Sequence, residues 1–311
     1  MKYFCLIICL LTSRSAFSQA GIDSFRMAGD VLVTIDKPAA WKTTGNSKTI
    51  VILYALPNGN TTAQTMGKKM EEGDDWHFDI QHIKAQTKFI RQQLRRHNIV
   101  VVYLENDFRS WPAWKARHPE YVLQVQHIVD TVLNLFSGHG KELYLNGHSG
   151  GGRFIFSYLD GVEQIPGYVK RISFLDSNYG YEPDYLAKLK NWLTGNKDAY
   201  LNVFAYNDSV ALYNGKPVVS ATGGTWYRSH KMLQDLQKDF SITQRRSDSI
   251  LVYKSRGNRI QFFLKTNPER KIFHTQQVEL NGFIHSVLCG TRFDSRGYRY
   301  YTARAYSNMI E

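Results

Sequence analysis

The chain has 311 residues, and its 39 Lys and Arg against 27 Asp and Glu give a formal charge of +12, or +10 once Lys2 and Arg14 are discounted with the N-terminal segment they sit in. The basic residues are scattered singly or in pairs such as Arg95-Arg96 and Arg245-Arg246, which fits solvation better than a nucleic-acid surface. No segment approaches the ~20 unbroken apolar residues of a membrane span.

Lys2, the apolar run Tyr3 to Leu11, and the small-residue patterns Ala16-Phe17-Ser18 and Ser18-Gln19-Ala20 read as a secretory signal peptide over residues 1–20. The mature chain, 21–311, is then expected to be secreted or periplasmic, with no stable membrane insertion. Cys5 and Cys9 leave with that segment. Cys289 remains without an intramolecular partner, so stability must come from a core rather than from disulfides. Without a linker, repeat or low-complexity tract, 21–311 is read as one domain. Nothing fixes the oligomeric state.

Short apolar runs alternate with helical stretches. Strands are expected at Val31 to Ile35, Thr49 to Ala55, Ile99 to Leu104, Leu143 to Asn146, Ile172 to Leu175, Leu201 to Tyr206 and Ile260 to Leu264. Helices are expected at Phe78 to His97, Tyr121 to Phe136, Gly151 to Leu159, Asp184 to Leu193 and Ser229 to Asp239. This alternation predicts a three-layer α/β sandwich around a mostly parallel sheet. The first of these strands is expected to pair antiparallel. The tail from Phe293 to Glu311 reads as a strand pair or a short helix.

Mid-chain, Gly147-His148-Ser149-Gly150-Gly151 sits between the strand-like Leu143, Tyr144 and Leu145 and a run with Phe154, Ile155, Tyr158 and Leu159 at helical spacing. A Gly-x-Ser-x-Gly in that setting is a nucleophile elbow. The tight turn lifts the serine hydroxyl clear of the sheet and aims the next amide at an attacked carbonyl oxygen. With acids after the following strands and a late histidine in Asn281-Gly282-Phe283-Ile284-His285-Ser286, the chain resembles the α/β-hydrolase superfamily. That resemblance implies the superfamily's fold and a Ser-His-acid triad.

A serine hydroxyl needs a base, and the base an orienting acid, in the chain order serine, acid, histidine. His285, in a Gly-containing stretch near the C-terminus, is the expected base; His274 competes, though Phe273-His274-Thr275-Gln276 reads as an edge strand. Two acids fit: Asp176, directly after an apolar strand and so preferred for its low-dielectric setting, and Asp208, in a turn-like Asn207-Asp208-Ser209. The oxyanion is assigned to the amide of Gly150 and to Asn58, Gly59 or Asn60 in the Pro57-Asn58-Gly59-Asn60 loop. Trp76, His77, Trp111 and Trp226 lie where strand ends should open, and are expected to contact substrate.

Zinc-peptidase, Cys-x-x-Cys, phosphate-loop and EF-hand patterns are missing from the sequence, so no metal or other cofactor is implied. The expected function is that of a secreted serine esterase acting through an acyl-enzyme on a small-molecule or glycan ester, polysaccharide or cell-wall material included. A secreted peptidase or amidase, and a non-catalytic glycan-binding protein on a hydrolase scaffold, are the alternatives.

Overall fold

A computed structural model describes residues 21–27, 30–43, 45–136 and 140–311; the expected signal segment, 1–20, lies outside the described residues. The strands are β1 (Gly21–Met27), β2 (Val31–Lys37), β3 (Thr49–Ala55), β4 (Asn98–Asn106), β5 (Lys141–His148), β6 (Val169–Leu175), β7 (Tyr200–Tyr206), the small pair β8 (Leu212–Tyr213) and β9 (Lys216–Pro217), then β10 (Ile242–Ser247), β11 (Ile250–Ser255) and β12 (Ile260–Lys265). The helices are α1 (Thr62–Met66), α2 (Ile83–Gln93), α3 (Trp111–Arg117), α4 (Tyr121–Asn134), α5 (Gly152–Gly161), α6 (Leu186–Gly195), α7 (Thr225–Gln237), α8 (Gln276–Glu279) and α9 (Gly282–Leu288).

One large sheet runs in the order β1-β2-β4-β3-β5-β6-β7-β12-β11-β10. Neighbours from β4 across to β12 are parallel, and both flanks are antiparallel, β1 and β2 on one side and β11 and β10 on the other. The central strands are apolar along their whole length because both faces are covered. Period-two alternation then divides each strand between two cores. Val51, Leu53 and Ala55 of β3 join a core with α3 through α7, whereas Ile50, Ile52 and Tyr54 join a second core with α2, α8, α9 and the C-terminal tail. The protein is therefore a three-layer α/β sandwich, as the alternation predicts.

The differences from expectation are local. The helix read from Phe78 starts at Ile83, because His82 takes a left-handed backbone angle (φ +47°) and Trp76–Asp79 closes separately as a 3₁₀ turn capped by Asp75. The strands β1, β10 and β11 were not expected: β1 and β10 carry too many polar residues to read as buried runs, and β11 has only the short apolar run Ile250 to Tyr253. The tail, read as a strand pair or a short helix, is a series of turns with one short 3₁₀ helix, Ser307–Met309.

Parallel strands carry their C-terminal ends to one edge. The segments after β3, β5, β6, β7 and β12 therefore open together there, and the connections diverge at β3 and β5, β3 leading to β4 on one side and β5 to β6 on the other. Such a switch point is where an open α/β sheet leaves a crevice.

Candidate active site

Ser149 follows the last residue of β5 with φ +54°, a left-handed conformation that for a non-glycine residue costs on the order of 1–3 kcal/mol and persists only where its surroundings enforce it. Two close approaches enforce it. A Cβ on Gly151 would stand 2.1 Å from the carbonyl oxygen of Ala55, and one on Gly152 would stand 1.7 Å from that of Ser177. The turn thus threads between the ends of β3 and β6 only because it has no side chains there. Ser177 Oγ donates to the Gly147 carbonyl at 2.8 Å, tying the loop after β6 to the elbow. Helix α5 then buries Phe154, Ile155, Tyr158 and Leu159, which anchors the turn from its far side.

The loop after β3 lies against this turn. The Asn58 side chain is packed on Gly150 so closely that a Cβ there would fall 1.9 Å from Asn58 Oδ1. Of the other two oxyanion candidates, Gly59 already donates its amide to the Arg109 carbonyl at 2.8 Å, and Asn60 is buried outside the cavity described below. Gly150 and Asn58 are the pair brought beside Ser149.

After β6, Asp176 also takes a left-handed angle (φ +46°), and its amide bonds to the Phe204 carbonyl at 2.8 Å. Its carboxylate is 0 % exposed. One oxygen meets Nδ1 of His274 and the other accepts from the Thr225 hydroxyl. His274 lies in a turn between β12 and α8, not on the edge strand read from sequence. Its carbonyl accepts from Nε2 of His148 at 3.3 Å, and the two rings lie 4.6 Å apart. Burial holds His148 well below the usual histidine pKa, so this neutral ring pins the His274 turn next to the residue preceding Ser149.

His285 is elsewhere, which corrects the sequence expectation. The Gly282 stretch is helix α9, not a loop, and Phe283, Ile284, Val287 and Leu288 bury its face in the second core. His285 is 3 % exposed, packed among Phe204, Phe263, Tyr298 and Tyr300, with Nδ1 2.9 Å from the Tyr298 hydroxyl. Burial lowers its pKa and keeps it neutral. Among the described residues, neither Asp176 nor Asp208 is its partner. The apolar spacing of α9 was the signal that could have marked it as core.

Asp208 does different work from Asp176. Its carboxylate accepts from the amides of Thr225 (2.7 Å) and Trp226 (3.2 Å), which caps α7, and lies 3.2 Å from the Thr225 hydroxyl. The hydroxyl thus stands between two buried carboxylates. Burial first, and then the nearby Asp176 charge, push Asp208 up to about 6.

A cavity of about 280 Å³ opens at Ser149, Gly150 and Asn58. Its remaining walls are Pro112, Arg153, Ser177, Tyr179 and Gly180. None of the four expected substrate contacts lines it. Trp111 is 2 % exposed and packs on Trp114 and Phe154 in the main core; Trp226 leans on His230; Trp76 is 62 % exposed and stacks on His77, away from the cavity. Arg153 and Tyr179 were missed, although Arg153 lies four residues past Ser149, one helical turn on. Among the described residues no group of three or more His, Cys, Asp or Glu side chains is placed to hold a metal ion, and no helix is long and apolar enough to cross a membrane.

No model of a known protein family matches the chain, and no curated protein sequence does. Among solved structures it is similar to a thermostable esterase (14 % identity, TM-score 0.48, covering 83 % of this chain and 58 % of that one). It is also similar to the siderophore hydrolase EstB from Aspergillus nidulans (12 % identity, TM-score 0.45, 93 % and 97 % covered) and to the acylaminoacyl peptidase of Pyrococcus horikoshii (8 % identity, TM-score 0.41, 95 % and 44 % covered). The chain thus spans under two thirds of the length of the thermostable esterase structure. Its own sheet order, with a strained serine after β5 and the acid and histidine on later loops of the same edge, gives the chain the α/β-hydrolase fold.

Proposed function

We propose that the protein is an exported serine hydrolase that cleaves carboxylic esters through an acyl-enzyme. The observation that carries this reading is the buried Asp176–His274 pair on the sheet edge that also presents the strained Ser149. Asp176 occupies Nδ1 of His274 and so orients Nε2 as the proton acceptor. Ser149 Oγ attacks the ester carbonyl carbon, its proton passes to Nε2, and the carbonyl oxygen becomes an oxyanion facing Gly150 and Asn58. Collapse breaks the ester C–O bond, and the alcohol leaves with the proton from His274. Water, deprotonated by the same imidazole, then releases the acid and regenerates Ser149. Export is supported by the pattern Lys2, Tyr3 to Leu11 and the small residues before Gly21.

The test is labelling with a fluorophosphonate together with turnover of p-nitrophenyl acetate. Wild type is expected to label and turn over, and Ser149→Ala to lose both, with a fall of ~10⁴-fold or more in kcat. Asp176→Asn is expected to lose ~10²- to 10⁴-fold in kcat because it destabilises the imidazolium. Equal rates in wild type and Ser149→Ala would sink the reading.

A further inference from the structure

Arg153 is the only charged side chain among the described residues that line the Ser149 cavity. It lies half-buried on α5, and its Nη1 passes over Gly180, where a Cβ would come within 3.0 Å of it. Other arginines that sink into this protein each hold at least one acceptor. Arg91 holds Asp36, Arg228 holds Glu182, Arg259 holds the Leu193 carbonyl, and Arg304 holds Asp79 and Glu279. Arg153, among the described residues, has neither an ion pair nor a hydrogen bond. The two carboxylates of the same edge cannot serve it, because Asp176 is engaged by His274 and Thr225 and Asp208 by the start of α7.

We infer that Arg153 makes the cavity selective for esters that carry a carboxylate close to the reacting carbonyl. The inference rests on the hydrolase reading and names its substrate class. A guanidinium presents paired N–H donors in a plane that matches a carboxylate, and a half-desolvated, unpartnered one gains most from such a partner. One cation in an otherwise neutral lining matches a single negative charge. The cavity lies at the lower end of ligand-site sizes, so the carboxylate and the ester belong to one short acid such as a dicarboxylic monoester. The carboxylate is held and not altered: water is consumed, the ester C–O bond breaks, and the diacid and the alcohol are released.

The experiment compares monoethyl succinate with ethyl butyrate, close in length but different in charge, by pH-stat. Wild type is expected to prefer the charged ester by roughly 10-fold or more in kcat/KM, mostly through KM, and the preference should shrink as salt is raised. Arg153→Gln should abolish the preference, and Arg153→Lys, which keeps the charge but not the planar fork, should retain part of it. Equal kcat/KM for the two esters in wild type, or a preference that survives Arg153→Gln, overturns the inference; the wild-type comparison and its salt dependence stand even where a variant fails to fold. Calorimetric binding of monoethyl succinate to Ser149→Ala separates the two readings. Binding that disappears in Ser149→Ala/Arg153→Gln, with no turnover of either ester by wild type, keeps the carboxylate site and removes the hydrolase. Turnover of ethyl butyrate with no binding or preference for the charged ester does the reverse.

Discussion

His274 and His285 differ in what their ring nitrogens reach. His274 has a buried carboxylate on Nδ1 and remains 23 % exposed, which suits the proposed role of its second nitrogen as proton acceptor. His285 has a tyrosine hydroxyl on one nitrogen, aromatic rings around it, and a pKa held low by burial. His274→Ala is therefore expected to lower kcat on p-nitrophenyl acetate by ~10³-fold or more while leaving the urea midpoint near that of wild type. His285→Ala should do the opposite, losing ~2–4 kcal/mol in urea melts through a cavity and an orphaned Tyr298 hydroxyl, with turnover per folded molecule largely kept. The placement of Ser149 and Asp176 at the sheet edge was legible in the sequence because each directly follows a strand. The placement of His274 beside Asp176 was not. Eight residues of irregular backbone separate β12 from His274, and that length has no periodicity to read. Arg153 was equally hidden, since one arginine in an amphipathic helix looks like solvated surface.

At the scale of elements, α7 connects the two acids. Its first residue, Thr225, bridges them, and Asp208 caps its N-terminus with two backbone acceptances, where a carboxylate also meets the positive end of the helix dipole. Those bonds favour the charged form, yet burial and Asp176 win and raise Asp208 to about 6 from 3.8 in the unfolded chain. A carboxyl whose pKa is higher folded than unfolded binds its proton more tightly in the native state. Its contribution to stability is complete below about 3.8 and is lost as the pH rises through about 6. Subtracting the stability of Asp208→Asn from that of wild type, measured in urea at steps between pH 3.5 and 7, should thus give a difference that falls by on the order of 2–3 kcal/mol across the range. A difference that is flat with pH would mean that folding leaves the Asp208 pKa where it is in the unfolded chain. The elbow is less forgiving. Gly152→Ala would drive a methyl into the Ser177 carbonyl, so a fall in soluble yield and loss of fluorophosphonate labelling are expected together. Strand and helix alternation was readable through the centre of the chain because both faces of those strands are buried. It failed at the flanks, where β1, β10 and β11 pair antiparallel with a single buried face or none.

Over the whole molecule, the second core joins the C-terminal tail to the site. The C-terminal tail, which offered no clear element in sequence because its burial depends on scattered tyrosines, folds over α2 and α9 and inserts Tyr298, Tyr300 and Tyr306. It also grips the segment just after His274. The Tyr300 and Tyr301 hydroxyls donate to Gln277 (2.6 Å) and Gln276 (2.9 Å), and the Tyr306 hydroxyl donates to the Glu279 carbonyl (2.7 Å). Arg304 reaches Asp79 Oδ1 (2.6 Å), the Asp79 carbonyl (2.8 Å) and Glu279 Oε1 (2.8 Å), pinning α8 to the region before α2. A histidine on irregular backbone keeps a productive orientation only if such a shell fixes it. Arg304→Met keeps the apolar part of the side chain and removes every one of these bonds, leaving a partly covered Glu279 and a half-exposed Asp79 without their cation. It is expected to cost ~1–2 kcal/mol in global stability. If the tail braces the site, amide exchange at 276–281 should accelerate more than in the central strands under native conditions, and kcat should fall several-fold while the enzyme stays folded. Uniform acceleration with unchanged kcat would make the tail a cover for the core and nothing more.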